Sequence, residues 1–246
     1  MTKREMREER RAARQAKERA EQIKTTRRKR LTRLIGALGV AAVVVVVAAV
    51  ASSNSKPKPV QAAPAASATV QEHNGVLGDP NAPVTVTEYL DLQCPICKQA
   101  AATELPTLID NYVKTGKVKL QARTLHFIGD DSTTAAKLAA GARQQGKLWP
   151  FIETFYANQG EENSGYVTTG FLKGIAQQAG VDFAKAQAYA KTAGAQSTLD
   201  TADAAAQAVG ADSTPTFTFK RGNGAEKVLV VGPTGLTDAL DAALKA

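Results

Sequence analysis

The hydrophobic period changes several times along the chain. Residues 34–51 (LIGALGVAAVVVVVAAVA) form an apolar run of 18 residues without a charge. A helix of that length rises about 27 Å, close to the thickness of a bilayer's hydrocarbon core. Residues 52–75 lose this pattern and take the Pro/Ala/Ser composition of an extended tether. Residues 84–90 (VTVTEYL) are β-branched and aromatic, which predicts a buried strand. Residues 117–127 (KVKLQARTLHF) alternate and predict a second strand. Between them, the stretch from Cys97 (CKQAAATELPTLIDNYVKTG) predicts a helix that kinks at Pro106. The connection is long enough for a crossover between parallel strands. Residues 131–210 then read almost wholly as helix, with Gly180, Gly194 and Gly210 where helices should end. Residues 214–222 and 226–232 predict a hairpin turned by GNGA, and an amphipathic helix closes the chain. The expected fold is α/β: βαβ, a helical insertion at 131–210, then ββα, all preceded by one transmembrane helix. The folded body is expected over 76–246.

Charge adds a direction. Residues 1–33 carry 14 Lys/Arg against 5 Asp/Glu, while the other 213 residues carry 17 against 18. The basic excess therefore sits in a solvated N-terminal tail suited to the anionic inner leaflet. The near-neutral remainder offers no basic face for nucleic acid. Basic residues stand directly before the apolar run, so the positive-inside rule places the tail in the cytoplasm and the body outside. The tail and run are both long for a cleaved signal peptide, although AVA at 49–51 would suit cleavage. An exported body permits disulfide chemistry.

Both cysteines of the chain lie in EYLDLQCPICKQA, residues 88–100. A zinc site needs two further ligands. The chain offers His73, in the expected tether, and His126, which has no finger-like spacing to the pair. Two inert core cysteines are poorly placed between a strand and a helix. A redox pair accounts for more. Cys94 would cap the helix and Pro95 would take its first position, where a missing N–H costs nothing. The N-terminal N–H groups and helix dipole would favour a Cys94 thiolate. Cys97, one turn on, would be the buried resolving thiol. In an exported domain the Cys94–Cys97 disulfide is the expected resting form, and the chain has no other cysteine to compete with it.

Glu88 lies six residues before Cys94 on a strand that otherwise reads as buried. A buried acid is costly unless it has a task or a partner. Two readings stand together: proton exchange with Cys97, or pairing with Lys119 on the next strand. Pro215 opens a strand, where a proline lacks the ladder N–H. A cis Thr214–Pro215 bond would bring that loop to a neighbouring site and free the Thr214 backbone for a substrate strand; a trans proline is the plainer alternative. His126, Trp149 and Phe151 read as packing residues.

Taken together, these residues resemble the DsbA-like branch of the thioredoxin superfamily over about residues 76–246. The resemblance rests on Cys94-Pro95-Ile96-Cys97 after a strand, Glu88 six residues upstream, Thr214-Pro215 before a strand, the helical insertion, and QGKLWPFIETFYANQ at 145–159. It implies a thiol–disulfide oxidoreductase without cofactor or metal. Cys94 would be the exchanging sulfur, Cys97 the resolving one and Glu88 the proton carrier, with Thr214-Pro215 aligning the client. It further implies reduced or misoxidised exported proteins as clients and a quinone-linked membrane partner for reoxidation. One residue departs from the pattern. Strongly oxidising members often carry His where this chain has Ile96, so Cys94 should be less acidic and the pair a weaker oxidant. A reductase or isomerase with the same site, and a tethered peptide-binding module, remain alternatives.

Overall fold

The computed structural model describes residues 59–63 and 65–245. The basic tail and the apolar run at 34–51 lie outside the described residues, as do residues 52–58 of the tether. Among the described residues, no helix is long and apolar enough to cross a membrane.

After a 3-10 turn at Ala66–Thr69 come strands β1 (Glu72–His73), β2 (Val76–Leu77) and β3 (Val84–Asp91). Helix α1 (Pro95–Thr103) and the short α2 (Leu105–Leu108) follow, and α2 runs on into a π turn at Ile109–Val113. Strand β4 is Val118–Leu125. The insertion holds α3 (Asp130–Arg143), α4 (Leu148–Ala157), α5 (Thr169–Gln178), α6 (Phe183–Ala190) and α7 (Ala193–Val209). Strands β5 (Thr216–Arg221) and β6 (Lys227–Val231) and helix α8 (Leu236–Lys245) complete the body. The sheet order is β1-β2-β4-β3-β5-β6. β3 is its centre, parallel to β4 and antiparallel to β5.

Centrality explains the composition of β3. Covered on both faces, it cannot alternate apolar with polar, and every residue but Thr85 is buried. One face carries Val84, Val86 and Leu90 into the main core beside Cys97, Leu105, Trp149 and Phe155. The other sets Tyr89 against Leu125, Ala202 and Ala206. Three of the insertion's helices, α5, α6 and α7, are capped by the residue before them. Thr168, Asp182 and Thr192 accept from the backbone N–H of Phe171, Lys185 and Ala195 at 3.2, 3.1 and 3.3 Å.

Three expectations need correction. Gly180 and Gly210 do follow helices in left-handed geometry, but Gly194 lies in the first turn of α7, behind the Thr192 cap. The helix expected to kink at Pro106 instead breaks at Glu104, and Pro106 occupies the first turn of α2. Finally, the body begins before Val76. Ser67 donates from its N and Oγ to Glu153 at 3.1 and 2.5 Å. The Glu72 carboxylate accepts from Leu148 N and Trp149 N at 2.9 and 3.0 Å, capping α4 from a strand far away in sequence. Residues 66–75 therefore belong to the fold rather than to the tether.

Candidate active site

Chain geometry builds the site from the end of β3. The strand stops at Asp91, a turn closes with Cys94 N donating to Asp91 O at 3.0 Å, and α1 begins at Pro95. Cys94 is the N-cap, and its Sγ accepts from Cys97 N at 3.4 Å. Pro95 and Ile96 face solvent, with Ile96 42% exposed, whereas Cys94 is 6% exposed and Cys97 fully buried. Both cysteines are free thiols, so the geometry described is that of the reduced pair.

The second wall comes from the far end of the chain. The Thr214–Pro215 bond is cis, and Thr214 O accepts from the Cys94 thiol at 3.4 Å. Pro215 is buried at the entry to β5 and its carbonyl accepts from Gly232 N at 2.9 Å, on the β6 side. Thr214 itself stays partly exposed.

These surroundings split the two thiols. Cys94 is drawn down to about 6. The hydrogen bond from the Cys97 thiol does most of this, the Thr214 side chain and the N–H groups of Cys97 and Ile96 assist, and burial opposes it. Cys97 moves the other way, well above the ordinary thiol range, through burial, its bond to Cys94 and the charges of Cys94 and Glu88. Glu88 is wholly buried on β3, between Ala122 and Phe217 on the neighbouring strands. Neither of its oxygens has a hydrogen-bond partner among the described residues. Burial first, and the Cys94 charge second, raise it to about 8. The Lys119 pairing is not formed: Lys119 Nζ donates to Pro80 O at 2.7 Å. At neutral pH the site therefore holds one acidic sulfur near the surface, one protonated sulfur beneath it, and a protonated carboxyl within electrostatic reach of both.

A thioredoxin family model matches residues 70–227, well over half the chain. The chain belongs to the thioredoxin family. It is similar to "Probable disulfide bond formation protein D" of Bacillus cereus, at 35% identity over 104 residues, 42% of this chain and 48% of that protein. The chain thus matches about half the length of the curated relatives. A thioredoxin-like oxidoreductase from Silicibacter pomeroyi superposes with a TM-score of 0.57 at 31% identity, covering 70% of this chain and 92% of that one. Oxidised BdbD from Bacillus subtilis gives 0.61 at 22% identity, covering 75% and 97%, a likeness of fold.

Within this thioredoxin-family site, the residues legible in the sequence do come together: Cys94, Pro95, Ile96 and Cys97 on one turn, Glu88 beneath and Thr214-Pro215 opposite. Sequence reasoning missed the supports. Gln159, just past α4, donates from Nε2 to Leu92 O at 2.8 Å and to Cys94 O at 3.1 Å. Tyr156 on α4 donates to Asp91 O at 3.1 Å. Asp91, buried at the strand end, accepts from Ser132 Oγ at 2.6 Å and from Gln93 N at 2.9 Å. Gln93 in turn donates to Ser132 Oγ at 3.2 Å and accepts from Asn163 N at 2.9 Å. The insertion thus fixes the cysteine turn by hydrogen bonds to its backbone. Asp91 could have been found by the buried-acid argument used for Glu88. Tyr156 and Gln159 had no local signal.

The remaining candidates pack or lie aside. Trp149 and Phe151 are fully buried, and Trp149 Nε1 donates to Gly75 O at 3.2 Å. His73 is exposed on β1. His126 contacts Thr133 Oγ1 and Asp203 Oδ2, each at 3.2 Å, away from the cysteine turn in sequence.

Proposed function

We propose that the chain is a membrane-anchored, extracytoplasmic thiol–disulfide oxidoreductase that donates its Cys94–Cys97 disulfide to exported proteins. The observation that carries this reading is the split between the thiols: an acidic Cys94 at a helix start faces the Thr214 carbonyl, with Cys97 and Glu88 buried behind it. The names of the relatives and the basic-then-apolar N-terminal pattern support it.

The chemistry follows from these positions. A client thiolate attacks Cys94 Sγ of the disulfide, so the client S–Cys94 bond forms and the Cys94–Cys97 bond breaks. Cys97 leaves as a thiolate and takes the proton held by Glu88. A second client thiolate then attacks the client sulfur of the mixed disulfide. Cys94 leaves as a thiolate, which its low pKa makes easy. The client loses two electrons and the enzyme gains them. Run in reverse, Cys97 resolves the mixed disulfide while Glu88 accepts its proton. The Thr214 backbone lines up the client strand. Reoxidation passes the two electrons on to a quinone-linked membrane partner, which is reduced as the Cys94–Cys97 bond re-forms.

Mixing the oxidised protein with a reduced, unfolded test protein should yield stoichiometric oxidation. The reduction potential should lie above the roughly −270 mV of cytoplasmic thioredoxins. A potential in that thioredoxin range, with no oxidation of the test protein, would overturn donation. Cys97→Ser should accumulate mixed disulfides and Cys94→Ser should not. For location, an impermeant maleimide should label Lys227→Cys, an exposed position on β6, in intact cells.

A further inference from the structure

We infer that a groove at the start of the loop carrying Thr214 is a specificity subsite for a cationic stretch of the client polypeptide. It has a volume of about 440 Å³ and lies between the end of β4, the last turns of α7 and the loop into β5. Leu125, Ala206 and Ala211 are buried in its wall, and Phe127 stands at its lip with 58% of its surface exposed.

Three features give the groove a negative character. Asp212 is exposed on the loop, and the Asp203 side chain is 42% exposed on α7. The C-terminus of the 17-residue α7 also opens here, at Gly210 and Ala211, and the carbonyl end of a helix attracts cations. Among the described residues, the lining holds no Lys or Arg. Its one basic side chain, His126, is held between Thr133 and Asp203. An apolar wall with carboxylates at its edge suits a Lys or Arg side chain, whose methylenes lie on the wall while the charge stays at the rim.

Continuity with the cysteine site identifies the occupant. Asp212 precedes Thr214 by two residues, a reach of about 7 Å at most. Thr214 is the residue whose carbonyl contacts Cys94 Sγ. A client joined to Cys94 and extended along Thr214 would place its chain in the groove within about three residues of its own cysteine. The client is therefore one whose cysteine is flanked by Lys or Arg at that distance. The inference takes its client from the redox reading but its geometry from the groove alone.

Two peptides test it, each with serine in place of cysteine, one with Lys/Arg and one with Glu at the flanking positions on both sides. Titrated into the full-length reduced protein and followed by amide resonances, the basic peptide should shift Phe127, Gly210 and Ala211. It should bind at least about fivefold tighter than the acidic one, by a margin that shrinks with salt. Asp212→Asn, at an exposed carboxylate, should narrow the difference, and adding Asp203→Asn should remove it. Absence of shifts at those amides, equal binding of both peptides, or a preference that survives in the double variant would overturn the subsite. Turnover of the cysteine-containing peptides is scored separately. If the subsite binds but no disulfide forms, the redox reading fails and the groove stands.

Discussion

At the scale of single residues, Glu88 is the most informative side chain. Its folded pKa lies near 8, above the ordinary 4.5, so ionising it opposes folding. That cost is absent at low pH, grows as pH rises past 4.5 and is complete above 8, on the order of 5 kcal/mol. The reduced form of Glu88→Gln should therefore resist urea better than wild type at pH 8 and lose that advantage near pH 4. The same variant cannot shuttle the proton, so displacement of Cys97 should slow by roughly a hundredfold in quenched-flow alkylation. Added stability with unchanged exchange would mean that Glu88 only strains the core. Ile96 makes the complementary case. It is exposed beside Cys94 and offers the thiolate no side-chain hydrogen bond. Ile96→His should lower the Cys94 midpoint, read by thiolate absorbance, from about 6 by about one unit. Each such unit favours the reduced form and raises the potential by about 30 mV.

At the scale of elements, legibility tracked how local the cause was. The strand composition of β3 reports its own burial and was read correctly. Gly194 was misread because glycine after a helical stretch has two meanings, and the Thr192 cap decides between them. What composition could not show is how closely the insertion's helices approach. Gly141 on α3 lies so near α6 that a Cβ would fall 2.4 Å from Ala186 O and 2.6 Å from Ala186 Cα. That neighbour is backbone and cannot rotate away. Gly141→Ala should therefore cost about 1–3 kcal/mol, seen as a lower urea midpoint at unchanged slope. The Cys94 midpoint should hold near 6, since none of the groups that set it lies on α3 or α6.

At the scale of the whole molecule, the site's chemistry was legible and its frame was not. Cys94, Cys97, Glu88, Thr214 and Pro215 announce themselves by type and spacing. Gln159 and Tyr156 act across 65 residues, and Glu72 across 76. Their effect is a chain of supports. Residues 66–75 hold α4 through Ser67, Glu72 and Gly75, while Tyr156 at the end of α4 and Gln159 beyond it hold the cysteine turn. A chain cut at the boundary expected from composition, residues 76–246, loses the Ser67–Glu153 bonds, the Glu72 cap and the partner of Trp149 Nε1 together. Each polar group left buried without a partner costs about 1–3 kcal/mol. Relative to residues 59–246, the shorter body should lose at least about 3 kcal/mol in urea unfolding, shift its Trp149 emission to the red and raise the Cys94 midpoint as the turn loosens. Equal urea midpoints for the two chains would mean that residues 66–75 merely lie on the surface of α4, and the coupling from residues 66–75 to the cysteine turn would have to be given up.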